Sequence, residues 1–318
     1  MTIKTEIKDI ASQLGIGEDN LELFYKASID AVMKEYNIDL AIDGLNEIII
    51  SDHLNESIKV YQREHKLLEE VTENEFGSVF GKTIHDKKTG EQAVFLSAYD
   101  MLGLLDNDTL NKTYQNNEDL KEDAFVRRDH LINLLIHELS HVEYNSHVNT
   151  KTGFCSHNSF DSYHEGLGII MFEEYYACRR SSEVSIPYHD KTLKKTIVDI
   201  EIEVEELVQK FRRYEINVVD FMKQFLENIQ LALKYMCYLL GDIAASKTAD
   251  DELKGTKIHS IIDCIKNEFD DLYKTARVSY KVFIPLSIRE CVFKYYNMFK
   301  IDFVDDEYGK RIIYLDNR

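Results

Sequence analysis

Apolar residues recur at helical spacing over most of this chain and at strand spacing mainly within its first hundred residues. Residues 2–13 predict a short helix, which the glycines at positions 15 and 17 would end. A longer amphipathic helix is expected from Asp19 or Asn20 to Tyr36, where apolar side chains return every three or four positions. The chain therefore begins with helical structure in this interpretation.

Three strands are expected next. Residues 45–51 read LNEIIIS, an apolar run typical of a strand. Residues 78–85 and 92–98 flank the turn-forming sequence DKKTG, which predicts a hairpin. The strand at 92–98 is the candidate for a sheet edge to which an extended peptide could add by main-chain hydrogen bonds, and the alternative is an ordinary sheet strand.

The candidate catalytic and metal-binding residues lie in residues 127–144, an apolar stretch of helical periodicity that contains HELSH at residues 137–141. Two residues four apart share one face of an α-helix, so His137 and His141 can bind one metal ion. Glu138 lies about 100° round the helix and can remove a proton from a metal-bound water, whose pKa zinc lowers. This HExxH pattern predicts Zn²⁺ and hydrolysis. The alternative is a core helix with two internally bonded histidines.

The second half of the chain is predicted to be mainly helical. A polar segment at 145–163 predicts a loop, and a helix follows from about residue 164 to residue 180. Pro187 lies in the best boundary, so we expect a catalytic domain of residues 1–187 and a helical domain of residues 188–318. Further elements are predicted as helices at 192–214, 218–247, 258–276 and 286–299, and as a terminal hairpin of 301–304 and 311–315.

This order of elements predicts an α+β fold. A zincin-like lobe, made of a small mixed sheet and the HExxH helix, precedes a mainly α-helical C-terminal region. Zinc in a peptidase usually has three protein ligands and one water, so a third ligand is needed. Glu173 or Glu174 would complete a His₂Glu set. His147 stands at the third-histidine position of HExxHxxGxxH, although Tyr144 replaces the glycine that turns the chain there.

HELSH followed 32 to 33 residues later by EEYYACRRS resembles the gluzincin metallopeptidases. The layout is most similar to the short cytoplasmic, phage- and repressor-associated kind, over roughly residues 20–182. In that kind an alanine follows the ligand glutamate by three residues. The resemblance therefore implies that Glu174, which precedes Ala177 by three residues, is the ligand, rather than Glu173. Cys178 departs from the Asp or Asn common at its position, so the hydrogen-bond partner of a ligand histidine must come from elsewhere.

Composition and charge narrow the function. A net charge of −19 over 318 residues argues against nucleic-acid binding through a general basic surface. No apolar run resembles a signal peptide or reaches the 18 residues of a membrane span. The five cysteines are scattered without a CxxC pair, which indicates reduced thiols and a cytoplasmic location.

The expected function is therefore a cytoplasmic zinc peptidase that acts on a protein or peptide substrate, with no nucleic-acid or membrane partner. Its zinc would be bound by His137, His141 and Glu174, and Glu138 would be the general base. No propeptide is evident, so a regulatory protein partner is one way to limit the activity. The alternative from another class is a zinc-stabilised, non-catalytic protein-interaction module.

Overall fold

A computed structural model describes the chain in nine segments, which are 2–36, 39–67, 80–105, 107–115, 117–153, 159–186, 191–246, 253–305 and 311–315. The described residues form a mixed α+β protein, as predicted. They divide into two compact units: Met1–His147 with Arg180–Tyr188, and Val148–Arg179 with His189–Arg318. The second unit thus contains residues 189–318 of the predicted helical domain and, in addition, residues 148–179.

The first unit is built on a four-stranded mixed sheet. Its strands are β1 (Thr2–Glu6), β2 (Leu45–Ser51), β3 (Gly81–His85) and β4 (Gln92–Ser97), in the order β1-β2-β4-β3. The pairs β1–β2 and β2–β4 are parallel, and the β3–β4 hairpin is antiparallel. Its helices are α1 (Lys8–Leu14), α2 (Glu18–Glu35), α3 (Leu54–Glu64), α4 (Ala98–Met101), α5 (Asn107–Thr113) and α6 (Glu118–His147).

The two faces of this sheet pack against different helices, because side chains alternate along a strand. Ile48 and Ile50 of β2, with Val94 and Leu96 of β4, lie in one core cluster with apolar residues of α1, α2 and α6. The intervening residues of β2 and β4 point to the opposite face, where they pack against α3. The HExxH helix is therefore held on one face of the sheet by buried apolar contacts.

The predictions for this unit are confirmed for α2, β2, the hairpin and α6, and two others are wrong. Residues 2–6 form a strand, and only residues 8–14 form a helix. The main chain of β1 pairs with that of β2, which is distant from it in sequence. Residues 92–97 are not an edge strand. Parallel pairing with β2 covers the second edge of β4, so β3 and β1 are the edges of the described sheet.

The second unit is mainly helical, as predicted. Its helices are α7 (Ser159–Ser182, whose last three residues belong to the first unit), α8 (Lys191–Arg212), α9 (Val218–Ser246), α10 (Ile262–Ser279) and α11 (Leu286–Asn297). A 3-10 turn, Ile258–Ile261, precedes α10. Strand β5 (Asn149–Thr152) pairs parallel with β6 (Lys281–Ile284), and β7 (Ile301–Asp305) and β8 (Arg311–Leu315) form the predicted terminal hairpin.

The segment predicted as a loop, residues 145–163, is largely ordered structure in its described part. Helix α6 continues to His147, β5 follows, and α7 already begins at Ser159. Strand β5 reads NTKT and therefore has no apolar alternation that would predict a strand. It pairs with β6, which is distant in sequence. Residues 154–158 lie outside the described segments.

One pair of cysteines contradicts the expectation of reduced thiols. Cys264 on α10 and Cys291 on α11 form a disulfide with their Cα atoms 7.0 Å apart, whereas Cys178 and Cys237 are buried and are not in a disulfide. Packing of two neighbouring helices brings the first pair together, which sequence spacing alone does not indicate. In the described residues, every helix falls short of the length and apolar content required for crossing a bilayer.

Candidate metal centre

Two histidine rings face each other on the buried side of α6. Because His137 and His141 are one helical turn apart, their Nε2 atoms lie 3.1 Å from each other. Each residue is only 8% exposed, and the rings meet edge to face with their centroids 4.8 Å apart. The local spacing of the motif thus converges two imidazole nitrogens on one point.

This pair of nitrogens fits the donor geometry of zinc. Two histidine nitrogens bound at zinc's usual distance and at a tetrahedral angle would lie about 3.3 Å apart. The observed separation of 3.1 Å, at which the two rings also share a hydrogen bond, is close to that value. Imidazole nitrogens also bind copper, iron and nickel, so the pair fits a divalent transition metal, of which zinc is the usual one in an HExxH motif.

Glu138, between the two histidines in sequence, lies beside the edge strand β3. Its carboxylate Oε2 is 2.8 Å from the Thr83 hydroxyl oxygen, which is also 2.9 Å from the Glu138 carbonyl oxygen. Gly81 approaches the same side chain, since a Cβ atom there would lie 3.0 Å from Cγ and 3.2 Å from Oε1 of Glu138. The edge strand thus positions the carboxylate predicted to be the general base.

Glu174 lies in α7, within the second unit, and is buried. Its Oε1 atom is 2.7 Å from Nζ of Lys234 on α9. Burial by itself lowers the pKa of the Lys234 ammonium, but the Glu174 carboxylate and the Tyr238 hydroxyl outweigh burial, and the pKa is raised well above its usual value. The predicted third ligand therefore has the Lys234 ammonium as its ion-pair partner.

A glycine brings α9 close to α7 near this ion pair. A Cβ atom at Gly241 would lie 2.8 Å from the Tyr175 carbonyl oxygen, from Cβ of Cys178 and from the main-chain nitrogen of Arg179. Burial raises the pKa of the Cys178 thiol, which therefore stays protonated and is a poor metal ligand.

The alternative third ligand His147 lies on a different side of α6. The helix continues through Tyr144 without the sharp turn that a third histidine ligand needs, and it ends at His147. Six residues of helix place His147 about 9 Å along the axis from His141 and about 240° round it. Its Nε2 atom is 3.6 Å from Asp43 Oδ2. This helical geometry argues against the HExxHxxGxxH interpretation.

A buried ion pair lies next to the motif in the first unit. Glu143 is 2% exposed, and its Oε2 atom accepts a hydrogen bond from Nε of Arg180 over 3.2 Å. The Arg180 side chain also donates to the carbonyl oxygen of Asp39, and the main-chain nitrogen of Ala41 donates to Glu143 Oε1. These bonds hold the end of α6 and residues 180–182 of α7 together.

Sequence reasoning missed three residues of this centre. Gly81 had a usable signal, because an isolated glycine in a strand often marks a close approach. Lys234 had another, since a lysine inside the apolar segment of residues 229–245 requires a partner when it is buried. Thr83 had none, because threonine is common in strands.

Comparison with known proteins adds no assignment: no protein family, no protein of curated function and no solved structure shows a significant match to this chain. The functional argument therefore rests on the residues and their geometry.

Proposed function

We propose that this protein is a zinc-dependent peptidase of the gluzincin type, with a zincin-like lobe in its first unit. His137, His141 and Glu174 would bind the metal ion. The observation that carries the proposal is the 3.1 Å separation of the two Nε2 atoms on α6, with Glu138 adjacent. Glu174, which is buried in the second unit, is the third ligand that the resemblance to the gluzincins implies.

The chain's own groups supply the proton transfers of this reaction. A bound zinc ion would acidify a water molecule and polarise the scissile carbonyl. The Glu138 carboxylate removes the proton of that water as its oxygen attacks the carbonyl carbon. Glu138 then passes the proton to the leaving amine when the peptide bond breaks. Thr83 holds Oε2 of Glu138 throughout, so the base needs little reorientation.

An extended segment of protein or peptide is the proposed substrate. Strand β3 is an edge of the described sheet, and its residues Gly81 and Thr83 approach Glu138. A peptide that adds to a sheet edge gains main-chain hydrogen bonds and needs few specific side chains. We therefore propose β3 as the sheet edge to which a peptide adds, in place of the interior strand within residues 92–98.

The remaining expectations stay part of the proposal. A cytoplasmic location and a regulatory protein partner would suit a peptidase whose action must be confined to few substrates. The net charge of −19 disfavours nucleic acid as a partner. The second unit would contribute Glu174 and the surface for a partner.

Replacement of Glu138 by glutamine tests the catalytic assignment. Glutamine keeps the size of the side chain but is not a base, so hydrolysis of a fluorescently labelled unfolded protein should fall about 10²- to 10⁴-fold. Zinc content should stay near that of the wild type. Glu122→Gln, at an exposed position of the same helix, is the matched control and should keep full activity.

The alternative, a zinc-stabilised interaction module without catalysis, makes a different prediction. It requires zinc in the wild type and no hydrolysis by either wild type or Glu138→Gln. Hydrolysis at the wild-type rate by Glu138→Gln would contradict the peptidase mechanism itself.

A further inference from the structure

The ion pair between Lys234 and Glu174 has consequences for how Glu174 could bind a metal. Lys234 Nζ is 2.7 Å from Oε1, and the Glu174 side chain is 9% exposed. The Lys234 ammonium also lies 5.4 Å from the centroid of the Tyr238 ring. A short, charge-assisted hydrogen bond in a largely buried setting is strong and strongly oriented.

The main chain of α9 keeps Lys234 in this place. Gly241 lies two helical turns after Lys234, and its contact with the α7 main chain at Tyr175, Cys178 and Arg179 leaves no room for a side chain. Because helix α9 is continuous from Val218 to Ser246, this contact fixes the level at which Lys234 meets α7. The ion pair is therefore set by helix packing.

A metal-binding carboxylate uses one oxygen or both, and zinc at a catalytic site needs one position left for water. An ammonium that holds Oε1 leaves Oε2 as the oxygen available to a metal. We propose, on the basis of the proposed function above, that Lys234 is a positioning residue that restricts Glu174 to binding zinc through one oxygen. Two nitrogens and one oxygen then leave a fourth position for water.

Cobalt(II) replaces zinc in such sites and reports the number of ligands, because its visible absorption is stronger in four-coordinate sites than in sites of higher coordination. The measurement is the visible spectrum of cobalt-loaded wild type, Lys234→Met and Lys234→Arg. Without the ammonium, both oxygens of Glu174 become available, so the absorption of Lys234→Met should fall about twofold or more. Lys234→Arg retains a charged donor and should keep the wild-type spectrum.

Lys257 provides a matched control. Its Nζ is also 2.7 Å from a glutamate, Glu205, and both lysine side chains are 29% exposed. Lys257→Met should therefore lose an ion pair of the same length, to a glutamate that is 53% exposed, and leave the cobalt spectrum unchanged. Circular dichroism checks folding, and Lys234→Leu is a second apolar variant if Lys234→Met does not fold.

The possible outcomes distinguish failure of the proposed role of Lys234 from failure of the proposed function. An unchanged cobalt spectrum in the folded apolar variant at position 234 would overturn the role of Lys234 while leaving the metal centre in place. An equal change in Lys257→Met would overturn it as well. No cobalt spectrum in the wild type would overturn the proposed function and, with it, this inference.

Discussion

The hydroxyl oxygen of Thr83 lies 2.8 Å from the Glu138 carboxylate, so the edge strand β3 is bonded to the proposed general base. The hydroxyl has one hydrogen to donate, and the carboxylate is a stronger acceptor than the nearby carbonyl oxygen because it is charged. This bond gives β3 a part in orienting Glu138 as well as in the proposed binding of substrate.

Loss of the Thr83 hydroxyl should slow hydrolysis without removing the metal. Thr83→Val keeps the shape of the side chain but cannot donate, so kcat should fall about tenfold, the equivalent of one hydrogen bond of about 1.4 kcal/mol. KM and zinc content should stay unchanged. Thr83→Ser restores the donor and should recover most of the rate, which steady-state kinetics on a labelled unfolded protein would measure. Equal rates for Thr83→Val and wild type would contradict this role.

A side chain at Gly81 should displace Glu138. In Gly81→Ala the new methyl group would lie 3.0 Å from Cγ of Glu138 and 3.3 Å from Cδ1 of Leu134. We expect a loss of about 1–3 kcal/mol in the free energy of unfolding, together with loss of activity. Urea titration measures the first effect. Gly166→Ala is the control, because nothing lies within 4 Å of its added methyl group and alanine favours a helix.

Arg180 should be required for the stability of the first unit. Arg180→Met leaves the carboxylate of Glu143, which is 2% exposed, without its ion-pair partner, at a cost of about 3–5 kcal/mol. Arg213→Met removes a similar bond to Glu215, but both side chains are about half exposed or more, so it should cost about 0–1 kcal/mol. Denaturant midpoints of the two variants make the comparison, and equal shifts would show that the buried pair has no special weight.

The pKa of His53 should be raised above its ordinary value of 6.5. The causes are the hydrogen bond from its Nε2 to Asp9, at 2.9 Å, and then the charge of Asp52. A raised pKa in the folded state stabilises the fold at low pH, and this contribution disappears as the pH rises from 6.5 through the folded-state pKa.

An NMR titration of the imidazole protons measures this pKa directly. Asp9→Asn should lower it toward 6.5, whereas Asp30→Asn, at an exposed position of α2, should leave it unchanged. A wild-type pKa of 6.5 or below would contradict the predicted ion pair.

Local patterns predicted most of the helices and the central strands. The apolar residues of 19–36 recur with the helical period of 3.6, and the short isoleucine run at 45–51 favours a strand, so each segment was predicted correctly. The prediction of a helix at β1 is wrong because five residues are too few to show a period and each pairs with a residue of β2 that lies 45 positions later. The edge position of β3 likewise depends on pairing between distant strands.

The candidate site divides in the same way. His137, Glu138 and His141 follow from spacing within one helical turn. Thr83 contacts Glu138 of the motif, and Lys234 contacts Glu174. Both contacts arise from tertiary packing, which no local sequence pattern predicts. Cys264 and Cys291 pair across two helices for the same reason.

Metal content per chain, measured by plasma mass spectrometry on wild type, Glu174→Ala and His147→Ala, tests the central claim most directly. We expect about one zinc in the wild type, loss of zinc in Glu174→Ala and retention in His147→Ala. Loss in His147→Ala alone would transfer the third-ligand role to His147. A wild-type protein that holds no zinc, even after zinc is added back, would contradict the proposed zinc peptidase.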